Sequence, residues 1–525
     1  MSHIQTTNSR FSCQTNLNHF LLLDIRSSWT DHDPDVAVPG ESPAPRCGGS
    51  HFQGVTLSTP ATYDLAIIGS GPGGYVAAIR AARLGLKTAV VEKAPKFGGT
   101  CLHWGCIPTK VLLHTADLLH EIRHADTHGI KVGAPALDLA AVHKRKTAVV
   151  DGLAQGVTGL MKRGKVALVR GHGKLGGKGR VIVSGADGKA VEELQARNII
   201  LATGSVVREF AGMETDGKTV IHSDHALNLQ EVPKSMVVIG AGAVGVEFAS
   251  IYKRFGADVT LVELLPRILP IEDEEVSAAL QAALVKQGLK VYTSSKVQKV
   301  VKTGQGAQVI VEAPDGKTQT LETQVVLVAI GRRPVSENLG LEGTGIQVER
   351  GFVKVNECME TGEPGVYAIG DLVPTPQLAH TASAEGLLAV SRIAGKEAHP
   401  LRYDHTPNCT YCLPQVASAG LTEAKAKERG FDVRVGKFPF RGNGKASIVN
   451  EPDGFVKIVA EKKYDQVLGV HMIGPFVTDM IASACVALDH EATGESLAHV
   501  VHPHPTLSEA VMEAAEAIYG LQTHW

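Results

Sequence analysis

Two cysteines, Cys101 and Cys106, stand in the run Gly98-Gly99-Thr100-Cys101-Leu102-His103-Trp104-Gly105-Cys106-Ile107-Pro108-Thr109-Lys110, and no other residues of the chain are better placed for chemistry. A helix is expected over 111–122, and Pro108 suits its first turn. Thiols at a helix start, with Lys110 close by, sit where the thiolate is favoured. The spacing also suits two inert cysteines, or half of a zinc site that lacks two ligands. Redox work is the better reading, because the pair follows directly on a nucleotide-binding pattern. A second pair, Cys409 and Cys412, lies in a stretch that reads as extended, where residues three apart point to opposite faces. Those thiols should diverge, so neither a second redox centre nor any metal site is expected. Histidine is abundant, 22 in all, and residue type alone singles out none of them as an acid or base.

The elements that must position the reactive pair form a repeat. A buried strand over 63–69, a glycine turn, a helix over 73–84 and a strand over 88–92 make a βαβ unit, and the same design returns over 236–240, 243–255 and 258–263. Gly69, Gly71, Gly74, Gly85 and Glu92 recur as Gly240, Gly242, Gly245, Gly256 and Glu263, each displaced by 171 residues. In G-x-G-x-x-G the first glycine turns the chain, the second lets a pyrophosphate approach the backbone, and the third lets helix pack on strand. The phosphates then rest on a helix N-terminus. Each glutamate falls 18 residues past its last glycine, where a carboxylate can accept from ribose hydroxyls. Leu264 and Leu265 follow Glu263 where arginines could hold a 2′-phosphate, which favours NAD over NADP, although Arg267 lies nearby.

Composition bounds the rest. A chain of 525 residues suggests three or four domains. With 44% apolar and 20% charged residues and a net charge of −2, disorder is disfavoured, and no basic run offers a footprint for nucleic acid or an anionic membrane. No apolar stretch approaches the roughly 18 residues that span a bilayer. Eight cysteines in such a length are too sparse for a disulfide-stapled scaffold, so a reducing, cytoplasmic setting is expected, an organellar matrix less so. Residues 1–60 show no sustained period and read as a flexible extension.

The string Gly98 to Lys110 resembles the redox-active segment of the pyridine nucleotide-disulfide oxidoreductases, flavoproteins in which two cysteines lie against the flavin ring. The resemblance runs from about Tyr63 to the C-terminus. Ala202-Thr203-Gly204-Ser205, Ala329-Ile330-Gly331-Arg332 and Ala368-Ile369-Gly370-Asp371 resemble its later signatures, and Leu378-Ala379-His380 resembles its flavin-facing loop. By this resemblance the first fingerprint takes FAD and the second takes the nicotinamide dinucleotide. Glu92 would hold the FAD ribose, Asp371 the ribityl chain, Gly173 would pass near adenine, and Lys110 would sit by the ring and pair with Glu247. His502-Pro503-His504-Pro505-Thr506-Leu507-Ser508-Glu509 resembles the family's acid–base segment, with His504 as the matching residue and Glu509 as its orienting carboxylate.

The implied fold is α/β: an FAD-binding domain over 61–205 and 335–402, an NAD-binding domain over 206–334, and a C-terminal α+β dimerisation domain over 403–525. Within the family the chain is most similar to the dihydrolipoyl dehydrogenases. It has no further thiols at its C-terminal end, no paired-cysteine metal-binding module and no basic residue at the place of Glu263, while His103 and Trp104 vary the commoner Asn-Val-like pair. The resemblance therefore implies oxidation of dihydrolipoamide through a Cys101–Cys106 disulfide and FAD to NAD+. It also implies a homodimer that works on the lipoyl domains of 2-oxoacid dehydrogenase or glycine cleavage complexes. A reductase of another disulfide or of mercuric ion, and a flavin-binding scaffold subunit, are the alternatives.

Overall fold

The computed structural model describes residues 63–525, so the expected extension over 1–60 lies outside the described residues. Short buried apolar runs, Leu65 to Ile68, Ala89 to Val91 and Ile199 to Leu201, build the parallel centre of a first sheet, buried as parallel strands usually are. Tyr63–Ile68 is its centre, with Thr88–Glu92 on one side, Ala190–Leu201 on the other, and Ala167–Arg170 beyond Thr88–Glu92. All these pairs are parallel, in the register Leu65 to Thr88, Leu65 to Asn198 and Ala89 to Ala167. Val366–Ala368 returns to this sheet and pairs in parallel with Ala190–Leu201, whose first half also continues an antiparallel ladder with Arg180–Ser184 and His172–Leu175. The helix Pro72–Arg83 buries a face of small residues, Gly73, Gly74, Ala77, Ala78 and Ala81. That face lets Gly386 of the helix Ala379–Ile393 approach within a Cβ's reach of the Gly73 carbonyl.

The second sheet repeats the design. Ser235–Ile239 lies between Asp258–Val262 and Val325–Val328, flanked by Lys290–Tyr292 and Val220–Ile221, all parallel. A three-stranded antiparallel layer, Lys296–Thr303, Gly306–Glu312 and Thr318–Thr323, stands beside it. From residue 408 onward the chain forms a five-stranded antiparallel sheet in the order Asn408–Thr410, Gln415–Gly420, Val467–Gly474, Phe455–Glu461, Val433–Pro439. The helices Val477–Asp489 and Glu509–Ala517 bury Ile481, Ala484, Val511 and Ala514 in a core with Val456, Ile458 and Met472 of that sheet. The architecture is two Rossmann-like α/β units followed by an α+β unit, the fold class the sequence implies.

Two local expectations are revised. The helix expected over 111–122 begins five residues earlier, as Cys106–Arg123, so Cys106 itself occupies the first turn. A short helix, Gly99–Trp104, precedes it and carries Cys101. The stretch expected to be extended over 408–413 is a strand only to Thr410, and then turns into a cis Leu413–Pro414 bond. No helix among the described residues is long and apolar enough to cross a membrane.

Candidate active site

Both glycine fingerprints make the same geometry from the same residues. Gly69 and Gly240 have φ of +105° and +97°, a backbone that L side chains rarely adopt, so glycine is required at the turn out of each strand. A Cβ at Gly74 would fall 2.0 Å from the Gly69 carbonyl, and one at Gly245 would fall 1.9 Å from that of Gly240, so only glycine lets each helix close on its strand. A Cβ at Gly71 or Gly242 meets no atom within 4 Å, and each caps its helix with no side-chain hydrogen bond. Open backbone N–H groups at a helix N-terminus, with room beside them, are what a pyrophosphate needs.

The carboxylates match as well. Glu92 accepts from the N–H of Ser70 at 2.9 Å and of Ala94 at 2.8 Å, and Glu263 accepts from the N–H of Ala241 at 2.6 Å and of Leu265 at 2.8 Å. Ser70 and Ala94 correspond to Ala241 and Leu265 at the same 171-residue displacement, so the repeat extends to hydrogen bonds. Arg267, the base that weakened the NAD preference, is engaged by Glu274 and by the Pro270 carbonyl.

A cleft of about 990 Å³ opens from the first fingerprint. Gly69, Gly71, Glu92, Gly173, Thr203, Gly204, Ser205, Asp371, Leu378 and Ala379 line it, and so do Cys101, Cys106 and Lys110. Gly74, Gly240, Gly242, Gly245, Glu263 and Gly331 lie outside it, the last five of them in the second repeat or at its exit. Ser205 Oγ donates to Asp371 Oδ2 at 2.5 Å while accepting from Arg332 Nε at 2.7 Å, which fixes the Asp371 carboxylate at the cleft wall. His380 is not brought to the cleft. It is the second residue of the helix Ala379–Ile393, whose buried face carries Thr381, Ala382 and Glu385, so its ring is exposed and lies 2.9 Å from the Pro407 carbonyl.

The two thiols occupy one wall of this cleft, Cys101 on the helix Gly99–Trp104 and Cys106 at the start of the helix Cys106–Arg123. Both are free thiols here, the dithiol form of the pair. They are inequivalent. The hydrogen bond it gives to Cys106, reinforced by burial, pushes the Cys101 thiol up. Receiving that bond, with Lys110 in support and against the opposition of burial, brings the Cys106 thiol below its ordinary value. The free N–H groups of the first helical turn act in the same direction.

Lys110 Nζ lies 2.9 Å from both carboxylate oxygens of Glu247, on the helix Ala243–Phe255 of the second repeat, and 4.4 Å from the centroid of the Tyr411 ring. Tyr411 also donates its N–H to Glu247 at 3.0 Å. One ion pair thus ties the thiol-bearing helix to the second fingerprint's helix, and a residue of the C-terminal unit closes over it.

His504 Nδ1 lies 2.9 Å from Glu509 Oε1, and Glu509 also accepts from the Thr506 N–H at 2.7 Å. Burial disfavours the ionised form of Glu509, but these two donors outweigh it and hold its carboxyl below the usual range. The His504 side chain is 78% exposed, and neither it nor Glu509 is among the described residues that line the cleft of their own chain.

The second cysteine pair diverges, although the strand expected to separate it by alternation ends at Thr410, before Cys412. Cys412 is buried with Val416 and Phe455 and gives its thiol to the Pro414 carbonyl, whereas Cys409 packs on the other core and reaches the cleft wall, its thiol pushed up to about 12 by burial. Sequence reasoning missed Glu385, a fully buried carboxylate that accepts from the Gly370 N–H at 2.6 Å and the Tyr403 hydroxyl at 3.0 Å, immediately behind Asp371. The available signal was an acidic residue on the apolar face of the helix Ala379–Ile393.

Residues 63–386 match the family described as pyridine nucleotide-disulphide oxidoreductase, and residues 406–515 match that family's dimerisation domain. The chain is 47% identical over 471 residues to dihydrolipoyl dehydrogenase of Bacillus subtilis, covering 88% of this chain and 99% of that one. It is 44% identical over 464 residues to the mitochondrial dihydrolipoyl dehydrogenase of Pisum sativum, covering 88% of this chain and 92% of that one. The crystal structure of LpdA from Mycobacterium tuberculosis superposes with a TM-score of 0.80 at 27% identity, over 86% of this chain and 98% of that one.

Proposed function

The chain belongs to the pyridine nucleotide-disulphide oxidoreductase family, and from that premise we propose that it is a dihydrolipoyl dehydrogenase, oxidising dihydrolipoamide to lipoamide and reducing NAD+ to NADH. The observation that carries the reading is a single cleft holding Cys101 and Cys106 beside the open backbone of the first fingerprint, tied through Lys110 and Glu247 to the second.

The residues fit both nucleotides. The Gly69–Gly74 turn, Glu92, Gly173 and Asp371 would hold FAD in the cleft, and the Gly240–Gly245 turn with Glu263 would hold NAD+. FAD, when bound there, supplies a two-electron carrier between the dithiol and NAD+. The chain's own residues do the sulfur and proton work. With the pair oxidised, a substrate thiolate attacks the Cys101 sulfur and breaks the Cys101–Cys106 bond, releasing Cys106 as the thiolate that its hydrogen bond and helix start favour. The second substrate thiol then displaces Cys101 from the mixed disulfide, giving lipoamide and the dithiol. His504, oriented by Glu509, accepts the substrate's thiol proton, a task suited to imidazole near neutral pH.

Because His504 does not line its own chain's cleft, we assign it to the cysteines of the other subunit in a homodimer, a reading the dimerisation-domain match supports. In this reading the substrate's natural carriers are the lipoyl domains of 2-oxoacid dehydrogenase or glycine cleavage complexes, and the sparse cysteines of the sequence suit a reducing cytoplasm. Anaerobic addition of dihydrolipoamide to the yellow protein should bleach its flavin band and raise long-wavelength absorbance, and later addition of NAD+ should produce NADH. A protein that stays unbleached by dihydrolipoamide but oxidises NAD(P)H with glutathione disulfide or mercuric ion as acceptor would refute the assignment.

A further inference from the structure

We infer that Lys457, a side chain of the C-terminal sheet, is a positioning residue for the nicotinamide dinucleotide, because it anchors the loop over 264–273 that borders the second fingerprint. The inference rests on the proposed assignment of that fingerprint to NAD+.

The loop leaves the second repeat at Glu263 and is pinned at every stage except its outer face. Glu263 holds the Leu265 N–H at 2.8 Å, the Leu269 N–H donates to the Ala241 carbonyl at 2.8 Å, and Ser277 Oγ donates to the Ile268 carbonyl at 2.5 Å. At its far end Asp273 caps the helix Glu274–Lys286, accepting from the Glu275 N–H at 3.1 Å. Three apolar side chains remain open to solvent on it: Leu264, Leu265 and Ile271, 63%, 46% and 63% exposed. Apolar surface beside a ribose-binding carboxylate is surface that a bound dinucleotide covers.

The anchor comes from another unit. Lys457 is 2% exposed, on the strand Phe455–Glu461, and its Nζ reaches Asp273 Oδ2 at 3.1 Å, Glu275 Oε1 at 2.7 Å and Glu423 Oε2 at 2.9 Å. An ammonium has three donors, and all three are used. Lys437, on the neighbouring strand Val433–Pro439, pairs with Glu275 too. If the loop drifted away together with the first turn of the helix Glu274–Lys286 that Asp273 caps, Lys457 would be left buried with Glu423 as its only carboxylate, and a buried charge stripped of partners is strongly unfavourable. The cost of stripping that lysine of Asp273 and Glu275 therefore holds the loop against Ala241, where the dinucleotide must rest. The strands Ser235–Ile239 and Asp258–Val262 are almost wholly buried without it, so loss of Lys457 should loosen the loop and leave the fingerprint's sheet intact. Cys101 and Cys106 sit on helices of the first repeat, so the two halves of the reaction should respond differently.

The test compares holoenzymes carrying Lys457→Met, Lys457→Arg and Glu275→Gln. One readout is the KM for NAD+ during dihydrolipoamide oxidation, and the other is the rate at which dihydrolipoamide bleaches the flavin without NAD+. Lys457→Met should raise the KM by roughly 5- to 150-fold, the usual span of coupling between distant sites. Its bleaching rate should stay within about twofold of the parent, and Lys457→Arg, which keeps the charge, should recover most of the affinity. If Lys457→Met yields no folded protein, Glu275→Gln decides, since it removes one of three partners at a half-exposed position, and a KM rise of at least about threefold is expected. An unchanged KM in the folded variants, or an equal loss in both readouts, overturns the inference. A parent enzyme that is bleached by dihydrolipoamide yet does not saturate with NAD+ would instead remove the assignment beneath it.

Discussion

Glu272 offers a sharp quantitative test of the junction between the second repeat and the C-terminal sheet. Its side chain is 4% exposed and its Oε2 has no hydrogen-bond partner, while Ser418 and Lys425 face it from the C-terminal unit and Asp273 from its own loop. Burial, reinforced by the Asp273 charge and only partly offset by Ser418 and Lys425, raises its carboxyl from 4.5 to about 7. A carboxyl that binds its proton more tightly when folded makes the native state hold more protons than the unfolded chain between those two values, so stability falls as pH rises across that window. At about 1.4 kcal/mol per tenfold in proton affinity, the whole fall is roughly 3 kcal/mol, complete above about pH 7 and absent below about pH 4.5. Glu272→Gln cannot ionise and should escape the fall. Measured at each pH against the parent holoenzyme, so that all other titrating groups cancel, the variant should gain relative thermal stability from pH 5 to pH 8. Infrared difference spectra of parent minus variant should show one carboxyl ionising with a midpoint near neutrality. A stability difference that does not change with pH, or a midpoint near 4, would refute both the burial argument and its sign.

Two further outcomes concern the sulfur chemistry. Cys101→Ser should retain bound flavin, because Gly71, Glu92 and Asp371 are untouched, but lose dihydrolipoamide turnover; persistent turnover would remove the thiol mechanism. His504→Gln should slow the thiol half-reaction by the roughly 100- to 10,000-fold typical of a lost general base, with flavin content unchanged, and stopped-flow bleaching by dihydrolipoamide measures it directly.

How legible the site was in the sequence depended on whether a residue's role was fixed locally or across the chain. The two glycine turns and their glutamates were legible because backbone sterics and a short span of strand, turn and helix determine them, and the structure repeats even their hydrogen bonds at the same displacement. The start of the helix at Cys106 was not, since Gly105 caps it without a side-chain signal. The helix Leu139–Arg163 went unread for a related reason. Its buried stripe, Val142, Lys146, Val150 and Ala154, has helical spacing but includes a lysine, which is satisfied only by Asn228 and the Leu227 carbonyl, some eighty residues away. Charge inside an apolar stripe hides a period that tertiary partners make tolerable. Glu385, Tyr411 and Lys457 share this character: each is a polar or charged group whose partner lies in another element, and only the folded chain names that partner.

The same distinction bears on why a third unit is needed at all. Two nucleotide folds related by a simple repeat could approach one another in many ways, yet electron transfer demands one. The Lys110–Glu247 pair fixes part of that geometry, but a half-exposed lysine on a long stem is by itself a loose hinge. Tyr411 tightens it by taking the lysine on its ring face and lending its N–H to the same carboxylate. Lys457 does the corresponding job at the outer end of the second repeat, where three carboxylates converge on one buried ammonium. A unit with no nucleotide fingerprint thus grips the second repeat at two separated places. Two grips remove the rotation that one would leave free, and that is the physical argument for expecting dinucleotide affinity to depend on a lysine outside the nucleotide-binding folds.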